Sequence, residues 1–477
     1  MIRHAFAAAA LLAAAPLAAQ STTQEQLDTR YDRALAAGYK ALFLCSAIAN
    51  AERNGATRTP ESVEQWELTG IQAPLDEIVH NLEYRLLPIP DGEGLGAVEV
   101  DWEIDMPPRV AVAENGRGCS IQPIGFEPSR LDTDSGTVEV SGSYRSYPPT
   151  SDKFVERSVQ TARPGSSSET ASLMIARNLA DPLNNAFTEH FGEGTRTTSV
   201  LVKRGDALVE QYAEGFDPQT PQRTWSVAKS IAATLVGTAV QRGEADVTKS
   251  AGLGLFFNDR RKQITIDNLL RMASGRYSDT PGNRTDPLYF GGATVEETAL
   301  HWPLLHRPGT VYRYANNDTL AAVKAIGASL KDHPPAELFA RLGMHDTVAE
   351  TDWRGDYILS SQVWSTARDL AKLGQLYLDD GVLSDGTRIL PEGWVDYVSA
   401  PSGPQPDGPF GYGAGFWLLN KSDGVPADTF AAMGNRGQYI VIVPSLNVVI
   451  VRRGEDPTGS RFDIAAFTRD VLESLEK

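Results

Sequence analysis

Residues 224–243 read TWSVAKSIAATLVGTAVQRG, a run that can settle only as a helix packed against an apolar interior. Val227, Ile231, Leu235, Val240 and the interspersed alanines make its apolar face, and Arg242 followed by Gly243 ends it. Ser226 falls at the helix start and Lys229 one turn later on the same side, so their side chains can meet. The start of a helix also favours developing negative charge. Serine is equally a common helix cap, which leaves two readings: a nucleophile with its base, or a capped turn with a lysine reaching solvent. The same spacing recurs at Ser474 and Lys477 with no helix start ahead of it, and no chemistry is expected there.

A serine hydroxyl attacks only if something takes its proton. A lysine amine does so when neutral, which requires burial or a neighbouring cation to bring it down from about 10.4. PGTVYRYANNDT, residues 308–319, adds Tyr314 and Asn316: a phenol able to relay protons and an amide able to bond a substrate carbonyl. Ser-x-x-Lys followed by Tyr-x-Asn in a separate segment is a far more specific pattern than either element alone.

The chain has 477 residues, too many for one ordinary core, and a formal net charge of -17. That charge repels nucleic acid and anionic lipid surfaces, so no nucleic-acid partner is expected. The opening MIRHAFAAAALLAAAPLAAQ has a basic residue, an Ala/Leu run and small residues at its end, the form of an export signal over 1–20. Its run is well short of the ~20 apolar residues of a membrane span, so no stable anchor is expected after cleavage. The product would be periplasmic or secreted.

Two cysteines, Cys45 and Cys119, lie in the amino-terminal third. In an exported chain such a pair points to a disulfide and not to a metal site, since two thiolates without nearby His make a poor cage. Around them, 31–49 reads as a helix, and AVEVDWEI (97–104), RVAVAE (109–114) and TVEVSGSY (137–144) read as strands. This describes a small α+β domain over 21–165 of no evident chemistry. ARPGSSSETAS, 162–172, is the boundary candidate. A larger domain over 166–477 follows, opening with two strands around the turn Arg204-Gly205-Asp206.

From about residue 180 to 466 the chain resembles the penicillin-recognising serine hydrolases, in the branch holding class C β-lactamases, esterases and 6-aminohexanoate-dimer hydrolases. The runs that carry it are TWSVAKSIAATLVG, ITIDNLLRMASG, PGTVYRYANNDT, RLGMHDT, WSTARDLAKLGQLYLDDGVLSDGTRILPEGW and MGNRGQYIVIVPSLNVVIVRRG. The resemblance implies an α/β fold of the β-lactamase/transpeptidase kind: a central antiparallel sheet flanked by helices, with a mainly helical subdomain. It implies Ser226 as nucleophile, Lys229 as base or activator of the phenol, Tyr314 as proton relay and Asn316 as orienter of the substrate amide. It puts the third family element at Asn435-Arg436-Gly437, with the Gln438 amide joining that of Ser226 in an oxyanion hole.

β-Lactam-processing members usually carry Lys at the first position of that element, and esterase relatives His; here it is the uncharged Asn435. Arg436, on a strand, would point to the opposite face. The expectation is therefore cleavage of small esters or linear amides through an acyl-enzyme, without metal or organic cofactor. The alternatives are a β-lactamase or D-Ala-D-Ala carboxypeptidase activity, and a catalytically silent binding protein of the same fold. A Ser-His-Asp hydrolase is disfavoured because no Gly-x-Ser-x-Gly elbow exists and His301, His306 and His345 stand in loop-like contexts. Oligomeric state is not legible.

Overall fold

The structure, a computed structural model, describes residues 5–89, 93–114, 116–127, 155–160, 174–277 and 285–476. The helix expected at 31–49 is the core of α1, Ala5–Arg53. Thr23–Arg53 is long and apolar enough to cross a bilayer, yet 94% of its most apolar window is buried inside the protein, which marks a core helix. One side of α1 packs on an antiparallel sheet of β1 (Tyr84–Pro88), β2 (Leu95–Val100), β3 (Arg109–Glu114) and β4 (Gly118–Ile121). Strand β2 stops at Val100, short of the expected 104, because Pro107 and Pro108, just before its partner Arg109, have no N–H for the ladder. Cys45 of α1 and Cys119 of β4 form the expected disulfide, with Cα atoms 6.1 Å apart. The strand expected at 137–144 and the boundary at 162–172 lie outside the described residues.

The other side of α1 faces the rest of the chain. Phe43 stacks on Tyr39 at 4.2 Å and meets Trp225 at 5.9 Å and Trp364 at 6.0 Å, while Tyr39 meets Phe290 at 4.5 Å. The two expected domains thus share one apolar cluster. The division at 165 is further blurred by β5 (Val155–Gln160), which joins the main sheet beside β7. Surfaces this apolar are stable only when covered, and each part covers the other.

The main sheet continues with β6 (Thr197–Arg204) and β7 (Ala207–Tyr212), joined through Gly205 as expected. A small separate sheet holds β8 (Gln222–Arg223), β9 (Val348–Ala349) and β10 (Val363–Ser365) in the order β8-β10-β9. The main sheet is completed by β11 (Gly411–Tyr412), β12 (Trp417–Leu418), β13 (Phe430–Gly434), β14 (Gln438–Val443) and β15 (Val448–Gly454). Its order is β11-β12-β13-β14-β15-β6-β7-β5, with antiparallel neighbours throughout.

Alternation along the strands explains the layers. Ile440, Ile442, Val449 and Val451 turn to one face, where the helices Val227–Gln241 and Ala367–Leu378 lie. Val441, Val443, Val448 and Ile450 turn to the other, against Ile464–Leu475. Because both faces are covered, β14 and β15 read as continuous apolar runs and not as apolar-polar alternation. Shorter helices, among them Ile266–Leu270, Asn316–Ala325 and Pro335–Arg341, pack over the Val227–Gln241 side. This is the fold the resemblance implied, and it sets the start of Val227–Gln241 between the end of β13 and the loop before Asn316.

Candidate active site

From β8 the chain reaches Ser226 through Trp225, whose φ of +49° is rare for a bulky residue and marks local strain. Trp225 is held in place by the Arg223 guanidinium, 4.2 Å over its ring, and by Phe43. Ser226 occupies the cap position of Val227–Gln241, but its side chain makes no capping hydrogen bond. The capped-turn reading is thereby set aside.

Lys229 is 2% exposed, and its Nζ donates to Ser226 Oγ at 3.0 Å, Asn316 Oδ1 at 2.6 Å and the Ser360 carbonyl at 2.8 Å. Burial brings its pKa down from 10.5 to about 7. All three partners can accept from a neutral amine as well as from an ammonium. No carboxylate is among them to hold the charge, so a large share of Lys229 is neutral near pH 7 and able to take a proton from the adjacent hydroxyl.

Tyr314 leans on Trp417, ring centroids 5.4 Å apart, with Lys229 Nζ 5.1 Å from its own ring centroid. Desolvation pushes its phenol above the ordinary value, and the Ser226 hydroxyl, as hydrogen-bond partner, pulls it back in part. Tyr314 is therefore protonated at neutral pH. Asn316, 7% exposed, opens the Asn316–Ala325 helix; its Oδ1 is held by Lys229 and its Nδ2 donates to Thr285 Oγ1 at 2.5 Å. In this state its carboxamide orients the lysine before any substrate.

The third element departs from the sequence expectation. Residues 435–437 form a tight turn between β13 and β14, whose last pair is Gly434 with Gln438. Gly437 faces the Arg452–Asp456 ion pair, and the Gln438 side chain is buried against Arg453 Nε at 2.5 Å; neither residue lines the cleft. The backbone beside Ser226 is Gly434: a Cβ there would collide with the Thr224 carbonyl oxygen and come within 3.0 Å of Ser226 N. The next amide in the chain, that of Asn435, is thus the partner geometry offers to the Ser226 amide. The expectation failed because Arg436, at φ +55°, turns the chain out of strand geometry. Its guanidinium is indeed directed away from the nucleophile, into Glu455 at 2.6 Å.

Ser226, Tyr314, Asn316, Gly434 and Asn435 line one open cleft of about 1230 Å³, together with Gln72 from the amino-terminal part. Nothing in the sequence marked Gln72, Thr285 or Ser360, which come from segments without motif. His301, His306 and His345 lie outside this cleft, and Ser474 sits in the last turn of Ile464–Leu475. Lys477 is outside the described residues. Among the described residues no cluster of three or more His, Cys, Asp or Glu could hold a metal.

The beta-lactamase family profile matches residues 184–471. A 6-aminohexanoate-dimer hydrolase of Paenarthrobacter ureafaciens is 26% identical over 300 residues, 56% of this chain and 74% of that protein. Penicillin-binding protein 4 of Amycolatopsis lactamdurans is 28% identical over 277 residues, 47% of this chain and 69% of that protein. Among solved structures, a provisionally assigned 6-aminohexanoate-dimer hydrolase from Bacillus anthracis superposes with a TM-score of 0.50 at 20% identity, covering 66% of this chain and 82% of that one. The last likeness is one of fold.

Proposed function

The chain belongs to the beta-lactamase family of serine hydrolases, and on that premise we propose that it is an exported esterase or amidase that cleaves small esters or linear amides through an acyl-enzyme on Ser226. The observation that carries this reading is the buried Lys229 amine, brought to about 7 and 3.0 Å from Ser226 Oγ. Ser226 Oγ attacks the carbonyl carbon as its proton passes to Lys229. The carbonyl oxygen becomes an oxyanion facing the Ser226 and Asn435 amides, and losing one such donor typically costs ~10²- to 10³-fold in turnover. Tyr314, protonated, passes a proton to the leaving alkoxide or amine and is reprotonated from Lys229. Water then enters by the reverse relay and releases the acid.

Two features favour esters and linear amides over β-lactams. Asn435 carries no charge, and the nearest cation in its turn, Arg436, is engaged by Glu455. The turn after Gly434 therefore offers no free cation as an anchor for a β-lactam carboxylate. Export rests on the opening MIRHAFAAAALLAAAPLAAQ, whose basic residue, Ala/Leu run and small residues at the end have the form of a signal sequence. Against the binding-protein alternative stands the nearness of the lowered Lys229 amine to the Ser226 hydroxyl, which a binding role does not require.

The deciding experiment is the time course of p-nitrophenyl butyrate hydrolysis by the mature protein and by Ser226→Ala, with nitrocefin run in parallel. A burst and turnover that vanish in the variant support the reading. Equal turnover in both proteins sinks it, and faster turnover of nitrocefin than of the ester shifts the substrate class to β-lactams.

A further inference from the structure

We infer that the amino-terminal region is part of the catalytic apparatus, and that Arg436 is the positioning residue through which the segment 66–70 sets the Asn435 amide; this rests on the hydrolase reading above. Each of the two amides offered to the oxyanion has a left-handed, non-glycine neighbour. Trp225, at φ +49°, precedes Ser226, and Arg436, at φ +55°, follows Asn435. Neither conformation is one its side chain favours, so each must be held by its surroundings. In both cases the holding group comes from the amino-terminal region.

For Trp225 the holder is α1. Phe43 lies 5.9 Å from the Trp225 ring, and the Arg223 guanidinium reaches both rings, 5.0 Å from Phe43 and 4.2 Å from Trp225. For Arg436 the holder is the end of a short helix, Pro60–Trp66, and the turn that follows. Arg436 Nη2 donates to the carbonyls of Trp66 at 2.7 Å and Thr69 at 2.9 Å, and Nη1 to that of Gly70 at 3.1 Å. Nε is taken by Glu455 Oε2 at 2.6 Å. A helix end leaves carbonyls without partners and attracts a cation, and only a planar guanidinium can serve three of them and a carboxylate at once.

The contact is tight on both sides. Gly70, at φ +71°, presses on Pro457, where a Cβ would lie 2.7 Å from the proline ring, and its carbonyl also accepts from Thr458 N at 2.7 Å. Two residues further on, Gln72 reaches the cleft wall. The amino-terminal region, itself clasped by the Cys45–Cys119 disulfide, therefore fixes the elbow before Ser226 and the turn after Gly434 against one body. Their spacing is what an oxyanion would read.

The test uses the whole mature protein and two variants from opposite sides of the contact. Arg436→Lys keeps the charge near Glu455 but loses the fork, and Gly70→Ala, whose added methyl meets Pro457, displaces the segment while leaving the sequence of the hydrolase half unaltered. Each is assayed for kcat and KM on p-nitrophenyl butyrate, normalised to burst amplitude, and for inhibition by phenylboronic acid, whose tetrahedral adduct puts an oxygen where the oxyanion forms. The expected result is kcat lower by about 10- to 100-fold, KM within about threefold, and a boronic acid inhibition constant raised by the factor that kcat/KM lost. A role confined to docking would lower burst amplitude and leave kcat per active site unchanged, which overturns the inference. Should Arg436→Lys fail to fold, Gly70→Ala decides alone. Absence of Ser226-dependent hydrolysis in the unaltered protein would instead bring down the hydrolase reading, and this inference with it.

Discussion

The Lys229 amine lies 2.6 Å from the carboxamide oxygen of Asn316, closer than the 3.0 Å that separates it from the Ser226 hydroxyl. The residue expected to orient substrate thus holds the base. It does so without charge, which is why burial alone governs the amine and brings it to about 7.

The first prediction is an acid limb. Lys229 works as a base only when unprotonated, so kcat/KM should rise tenfold per pH unit below about 7 and level off above it. Initial rates of p-nitrophenyl butyrate hydrolysis between about pH 5 and pH 9 test this. A flat profile across that range removes Lys229 from the role.

Asn316→Asp keeps the shape and adds a carboxylate at hydrogen-bond distance from the amine. Opposite charge favours the ammonium, so the limb should move up by one unit or more. Activity near pH 7 should fall at least about fivefold and return in part near pH 9. An unmoved limb with lower activity would mean that Asn316 acts on substrate alone.

Gly434→Ala should lower kcat/KM by about 10²-fold or more, the scale of a lost oxyanion donor. The added methyl meets the Thr224 carbonyl oxygen and stands 3.0 Å from Ser226 N. Comparison with wild type under matched circular dichroism spectra checks it; full activity would place the oxyanion elsewhere.

Replacing both Cys45 and Cys119 by serine should cost roughly 4 kcal/mol, the chain-entropy value for a loop of this length, since the bond spans a sequence separation of 74. Urea unfolding of the two proteins measures the difference. An unchanged midpoint would show that α1 and β4 are held by packing alone.

Glu350 carries a second pH effect, on stability. It is buried under the disulfide, accepting from Cys119 N at 2.9 Å and Trp364 Nε1 at 3.1 Å, and burial pushes its carboxyl from 4.5 up to about 7. The folded state therefore binds its proton more tightly than the unfolded chain does. Its contribution is complete below about pH 4.5 and is lost as pH rises through about 7, on the order of 3 kcal/mol in all. The urea midpoint should fall from about pH 5 to pH 8 in wild type and fall less in Glu350→Gln; parallel falls would assign the slope to other groups.

Several elements were legible because their signals are local. The helix Val227–Gln241 with its stop at Arg242-Gly243, the strands around Gly205 and the apolar runs of β14 and β15 follow from periodicity and turn residues. The nearness of Ser226 to Lys229 was legible because a helical turn brings positions three apart together, and Tyr314 was singled out as a candidate by the order of the motifs. The end of β2 was misjudged since a strand stops where its neighbours stop, and those lie elsewhere in the sequence.

The sequence by itself determined the helix that presents Ser226 and Lys229, the nearness of those two side chains and the pairing of its two cysteines. Only the tertiary structure decided that Lys229 is dry, that Asn316 faces it, and that Gly434 and not Gly437 passes beside Ser226. Only it placed Arg436 against the carbonyls of Trp66, Thr69 and Gly70. The reason is physical: propensity and periodicity act over a few residues, whereas desolvation and hydrogen-bond partnership depend on which distant segments exclude water from the same point.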